Sequence, residues 1–208
     1  GQQVVRIDRE VTNPLAGRYR DGLVELAHQA LAQADVLLLE DYDKGVLDPE
    51  LIGDLIAAAR ERNLPVVVDP KERHFFAYRG ATVFKPNRRE LGGAFRTHLS
   101  GEDAELEEAR QRLGVEHLLL TLGSDGMALV TPSGTVERTP SFTREVFDVS
   151  GAGDTVMAWL GCALAAGGTV FEATWLANLA AGVEVGKQGT ATVSPSELLA
   201  SWDELLGD

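Results

Sequence analysis

The chain is 208 residues long, 44% hydrophobic and 25% charged, and its 19 Lys+Arg against 32 Asp+Glu give a net charge of −13. That balance repels phosphate backbones and argues against a nucleic-acid partner, although a few placed lysines or arginines can still hold a small anion. No run of roughly 18 apolar residues offers a membrane span, so no membrane contact and a cytosolic compartment are expected.

The N-terminal residues alternate Val5 and Ile7 with Arg6 and Asp8, which reads as a strand. Apolar residues recur at helical spacing over residues 21–34. The apolar run 36–39 then reads as a buried parallel strand. Asp48-Pro49 is a helix start, with Asp as N-cap and Pro at the first helical position; its apolar face is Leu51, Ile52, Leu55, Ile56 and Ala59. The pattern repeats through a strand at 65–69, a loop carrying Phe75, Phe76 and Tyr78, and a strand at 82–84. A helix follows from Asn87, then an amphipathic helix at 104–113 and a buried strand at 117–121. Such alternation predicts a mostly parallel sheet with helices on both faces. After Gly126 the rhythm changes to a hairpin, with strands at 127–130 and 135–138 around Pro132-Ser133-Gly134. Three helices close the chain at 153–166, 170–185 and 195–206, and no repeat or linker divides residues 1–208, so one domain is expected. Cys162, the single cysteine, excludes an internal disulfide and is expected to be a buried, inert thiol. The four histidines lack metal-ligand spacing.

The segment Asp148-Val149-Ser150-Gly151-Ala152-Gly153-Asp154-Thr155 stands directly before an apolar helix. Small residues there let an anion approach free backbone N–H groups at the helix N-terminus, and phosphate is a natural guest. Asp154 would lie in the first turn, where the dipole favours its ionised form and a proton could be taken from an attacking hydroxyl. The same spacing also fits a plain helix cap and turn. A dinucleotide fingerprint fits less well, because Val156 stands where the third glycine belongs, and no P-loop pattern occurs.

This segment resembles the second signature of the ribokinase, or PfkB, carbohydrate kinases. The resemblance implies that Gly151, Ala152 and Gly153 form the anion hole and that Asp154 is the base activating the sugar hydroxyl. It also implies a monovalent cation, potassium, near Asp148 and Ser150. Lys85-Pro86-Asn87-Arg88-Arg89-Glu90 resembles the family's Asn-x-x-Glu element, so Asn87 and Glu90 would place magnesium through water, together with the ATP phosphates. As a bare pattern it is equally a capping box, and both roles can hold. Thr121-Leu122-Gly123-Ser124-Asp125-Gly126 is similar to the nucleotide loop, where Thr121, Gly123 and Gly126 would lie along ATP; alone it is an ordinary strand–turn–strand connection. Asn178 matches a helix lining the adenine pocket, and Gly186-Lys187-Gln188-Gly189-Thr190 the loop that closes it.

Two strand ends narrow the branch. Glu40-Asp41-Tyr42-Asp43-Lys44-Gly45-Val46-Leu47 and Val68-Asp69-Pro70-Lys71 resemble those of heptose 7-phosphate kinases, as does the run from Gln2 to Asp8, with Glu40 replacing the usual serine. Asp41, Lys44, Asp69 and Lys71 would then contact the sugar phosphate; without the resemblance, the lysines pair with neighbouring carboxylates on a solvated rim. The implied fold is a ribokinase-like three-layer α/β/α domain. It is expected to be incomplete, because no residues here match the family's first strands, β lid and Gly-Gly sugar motif. The implied activity is ATP-dependent phosphorylation of D-glycero-D-manno-heptose 7-phosphate at its anomeric hydroxyl, with a homodimer in the complete protein. Another sugar kinase of the family and a non-catalytic nucleotide-binding module are the alternatives.

Overall fold

A computed structural model of the protein describes residues 10–143, 146–189 and 191–207. The strand expected around Val5 and Ile7, and the run from Gln2 to Asp8, lie outside them. The first described elements are helix α1 (Gly17–Leu31), strand β1 (Leu37–Glu40) and helix α2 (Pro49–Glu61). Asp48 caps α2 by accepting from the Leu51 N–H, as the Asp-Pro pair predicts. The same carboxylate binds Arg20 of α1 at 2.7 Å, so one side chain both starts a helix and ties it to its neighbour.

Strands β2 (Val66–Asp69) and β3 (Val83–Phe84) follow, then helices α3 (Arg88–Phe95) and α4 (Asp103–Leu113) and strand β4 (His117–Thr121). A single 3-10 turn at Gly123–Asp125 leads into strands β5 (Met127–Val130) and β6 (Val136–Thr139). Helices α5 (Ala152–Ala165), α6 (Val170–Val185) and α7 (Pro195–Gly207) complete the fold. Among the described residues, six strands lie in the order β1-β2-β3-β4-β5-β6; the first four are parallel, and β5 and β6 add as an antiparallel hairpin.

Alternation along the strands assigns the two faces. Val66, Val68, Phe84, Leu118 and Leu120 point to a core covered by α1 to α4, with Phe75 and Tyr78 packed edgewise or tilted against Phe84. Val67, Val83 and Leu119 point the other way, onto Val156, Met157 and Leu160 of α5 and Ala173 and Ala177 of α6. The result is the expected three-layer α/β/α sandwich. Helix α7 packs outside it on α6 through Leu198, Leu179 and Ala180.

Cys162 is exposed, which corrects the expectation of a buried thiol. Helix α5 is apolar nearly all round, but it buries only the stripe Val156, Met157, Leu160 and Gly161; position 162 turns away from the sheet.

Gly126, between the 3-10 turn and β5, has φ +85°, and a Cβ there would stand 2.0 Å from the Thr139 carbonyl oxygen. Only glycine takes that conformation against a neighbouring backbone without strain. Gly126→Ala is expected to lower unfolding stability by at least about 2 kcal/mol in urea denaturation; a loss under about 0.5 kcal/mol would contradict the turn geometry.

Candidate active site

Open parallel sheets collect ligand-binding groups at the carboxyl ends of their strands. Here those ends are Glu40 of β1, Asp69 of β2, Lys85 just beyond β3 and Thr121 of β4. The N-terminus of α5 brings Asp154 to the same edge. One carboxylate oxygen each of Glu40, Asp69 and Asp154 lies within 4.8 Å of the others. Lys85, almost completely buried, places its Nζ 3.2 Å from Asp69 Oδ1. The Tyr42 hydroxyl donates to Asp154 Oδ1 at 3.2 Å.

Burial, and after it the crowding of like charges, shifts the group. Burial raises Glu40 to about 7, assisted by its hydrogen bond to Asp154 and by the charges of Asp154 and Asp69, with Lys85 acting in the opposite direction. Burial also raises Asp69, against the pull of Lys85 and Lys71. Tyr42 is pushed up to about 12 by burial and the carboxylates around it.

The proposed sugar-phosphate contacts separate in the structure. Lys71 lies near the cluster: its Nζ donates to Glu90 Oε1 at 2.7 Å, and despite burial, Glu90 and Asp69 hold its pKa up. Asp41 is buried and accepts from the Tyr78 hydroxyl and the Asp43 N–H, both at 2.8 Å, so its carboxylate braces the loop after β1. Lys44 pairs with Glu10 on the exposed rim rather than with any of the three clustered carboxylates.

Beside this cluster lies a cavity of about 640 Å³. Asn87, Thr121, Gly123, Gly126 and Asn178 line it, with apolar walls from Met127, Val149, Val156, Ala181 and Val185. The structure therefore brings together the residues assigned to nucleotide binding, apart from Glu90, which lies on the lysine side. Asn87 forms the capping box: its side chain accepts from the Glu90 N–H, and Glu90 Oε2 accepts from the Asn87 N–H, both at 2.8 Å. A bridge between Asn87 and Thr121 extends the parallel ladder to the cavity mouth. Asn178 is buried rather than solvent-facing, and donates to the Pro140 carbonyl at 2.7 Å.

The loop before α5 lies between the cavity and the carboxylate cluster. Gly151 is the left-handed N-cap of α5, no side chain caps it, and Ala152 and Gly153 line the cavity. The first N–H groups of an α-helix lack intrahelical acceptors and carry the positive end of its dipole. A Cβ at Gly153 would lie 3.8 Å from Lys85 Nζ and 3.9 Å from Asp69 Oδ2, which places the loop backbone directly beside the buried ion pair. Behind the loop, Asp148 Oδ1 accepts from the Ser150 N–H at 2.9 Å, and this bond holds its pKa below the usual range. Glu184 of α6 is fully buried, and neither carboxylate oxygen has a hydrogen-bond partner among the described residues. Burial, then Asp148 and Asp154, raise its pKa, with the Ala191 N–H and Lys187 opposing.

Sequence reasoning passed over Lys85 and Glu184 as site residues and read Glu40 only as a departure from serine. For Glu40 and Lys85 a signal was present: a charged residue directly ending or following a buried apolar strand. For Glu184, inside an apolar helix, the charge itself was the only signal.

The family model described as pfkB family carbohydrate kinase matches residues 7–197. The bifunctional protein HldE of Geobacter metallireducens is 47% identical over 204 residues, 96% of this chain and 41% of that protein. The protein of the same name from Rhodospirillum rubrum is 46% identical over 203 residues, with the same shares covered. The chain thus spans about two-fifths of the length of these curated relatives. Among solved structures, Arabidopsis thaliana ribokinase complexed with ribose and ATP superimposes with TM-score 0.72 at 22% identity, covering 87% of this chain and 58% of that one. Phosphofructokinase-2 from Escherichia coli in complex with potassium gives TM-score 0.76 at 18% identity, covering 93% and 64%. Both share this fold.

Removing the Lys85 ammonium would leave Asp69 buried without its ion-pair partner. Lys85→Met is expected to cost about 3–5 kcal/mol of stability at neutral pH. Asp69 already has a raised folded pKa, and losing Lys85 raises it further, so the penalty grows as pH rises through the raised folded pKa of Asp69 in the parent protein and fades below it. Urea denaturation of both proteins at pH 4 and pH 7 checks this; an equal difference at the two pH values would contradict it.

Proposed function

This chain belongs to the pfkB family of carbohydrate kinases, and from that membership we propose that it transfers the γ-phosphoryl group of ATP to the anomeric hydroxyl of D-glycero-D-manno-heptose 7-phosphate. The product is the 1,7-bisphosphate, an intermediate towards ADP-heptose and the lipopolysaccharide core. The observation that carries the reading is the position of the α5 N-terminus. Ala152 and Gly153 line the cavity, while Asp154, one residue on, belongs to the carboxylate cluster at the strand ends.

In this reading ATP occupies the cavity between Asn178 and the Thr121–Gly126 turn, with its phosphates directed towards the α5 N-terminus. The backbone N–H groups of Gly151, Ala152 and Gly153 stabilise charge on the phosphoryl group as it moves. Lys85, within reach of Gly153, adds a fixed positive charge. Asp154 takes the proton from the attacking hydroxyl, and the hydrogen bond from Tyr42 orients its carboxylate. Lys71 and Asp69 face the sugar phosphate from the other side, and Lys44 and Asp41 hold the flanking loop. The heptose assignment rests on the strand ends at Glu40–Leu47 and Val68–Lys71 and on the high identity to the bacterial relatives.

Magnesium, when bound, supplies charge neutralisation on the ATP phosphates. Both Glu90 oxygens already accept hydrogen bonds, from Lys71 and from the Asn87 N–H, so Asn87 and Glu90 suit a contact through water rather than direct ligation. A monovalent cation near Asp148 and Ser150 fits the buried carboxylate of Glu184, which the charge of Asp148 reaches.

Two measurements test this. ADP release by the full-length protein, with magnesium-ATP and a panel of sugars and sugar phosphates, should be fastest with heptose 7-phosphate; ATP binding without turnover on any sugar would overturn the kinase reading. Asp154→Asn should lower the rate by about 10²–10⁴-fold with the fold intact. A loss of about tenfold or less would remove Asp154 from the role of base.

A further inference from the structure

Glu40 ends β1, and its side chain faces Asp154 of α5, with Asp69 of β2 as the third member of the group; the clustered oxygens lie within 4.8 Å of one another. Its Oε1 is buried, and no donor reaches it among the described residues. The charged and titratable groups facing it can be named element by element. Helix α5 contributes Asp154, β2 contributes Asp69, the segment after β3 contributes Lys85, and the loop after β1 contributes Tyr42. Lys85 is committed to Asp69 at 3.2 Å, and the Tyr42 hydroxyl to Asp154 at 3.2 Å. Among the described residues these donors are already engaged and Lys85 acts on Glu40 only through its charge, whereas a protonated Glu40 has an acceptor in Asp154.

We propose that Glu40 is a positioning residue that shares one proton with Asp154, donating it in a carboxylic acid–carboxylate hydrogen bond and so fixing the charge state of the base. The inference rests on the reading of Asp154 as the base for phosphoryl transfer. With one proton in the pair, Asp154 carries the negative charge and Glu40 is neutral. As the acceptor oxygen bonds to phosphorus and the bond from phosphorus to the departing ADP oxygen breaks, the hydroxyl proton passes to Asp154. The pair then holds two protons and releases one to solvent before the next turnover. If the shared proton is lost, two adjacent carboxylates face an anionic sugar phosphate and ATP, and productive binding weakens. Burial and like-charge repulsion raise Glu40 to about 7, which places this loss within the working pH range.

The test has a part that needs no catalysis. In the chain labelled with carbon-13 at its carboxyl groups, one carboxyl signal should titrate near pH 7. That signal should be absent from Glu40→Gln. In Asp154→Asn, which removes the neighbouring charge, its midpoint should fall by about one unit or more. No carboxyl titrating above about pH 6, or a midpoint indifferent to Asp154→Asn, would overturn the proposal. In the full-length protein, kcat/KM should decline through a single ionisation near pH 7. Glu40→Gln, which keeps a donor but cannot ionise, should lack that limb; superimposable profiles would also overturn it. Complete absence of turnover on any sugar, with the NMR titration present, would count against the kinase reading and leave the shared proton supported.

Discussion

Three carboxylates converge on one point of this sheet edge, and the lysine nearest them is already paired with one of their number. At 4.8 Å, two unit charges repel by about 3.5 kcal/mol at an effective dielectric constant near 20. Such a group persists only if something compensates it, and three devices do so here. Lys85 is buried against Asp69, the positive end of α5 lies beneath Asp154, and burial favours the neutral acid at Glu40. The same crowding and burial push Tyr42 up to about 12, so its hydroxyl remains a donor to Asp154. On the proposed reading, an anion would be held by the local N–H groups of the α5 N-terminus and two placed lysines rather than by the overall field.

The fold delivers this point without special geometry. Parallel strands end together, so Glu40 and Asp69, paired in register on β1 and β2, present their side chains side by side. Helix α5 crosses the opposite face, and its first turn arrives at the same edge. The cavity lies beside that turn, lined by Ala152 and Gly153, and the carboxylate cluster takes in Asp154 one residue on. One helix terminus therefore borders both the cavity and the cluster.

Much of this was legible in the sequence, for local reasons. The Asp48-Pro49 start, the Asn87/Glu90 capping box and the strand 117–121 depend on neighbours within a few residues, and the structure shows each where the pattern placed it. The small-residue run before α5 also announced a helix N-terminus open to an anion. What escaped depends on contacts between distant segments. Tyr78 reaching Asp41, Lys85 reaching Asp69 and Glu40 reaching Asp154 follow from strand order, which no local pattern encodes. Cys162 was misjudged because an apolar run does not reveal which side of a helix meets the sheet. Lys44 pairs on the rim with Glu10, a residue far from it in the sequence.

The central claim is spatial: the transferred phosphoryl group rests on the α5 N-terminus between the cavity and Asp154. A crystal structure of the full-length protein with a non-hydrolysable ATP analogue and a sugar phosphate tests it directly. The account predicts the γ-phosphate oxygens at hydrogen-bond distance from the backbone N–H groups of residues 151–153, with the acceptor hydroxyl roughly 2.6–3.2 Å from the Asp154 carboxylate. A terminal phosphate bound away from this helix terminus, or an acceptor hydroxyl out of reach of Asp154, would contradict it.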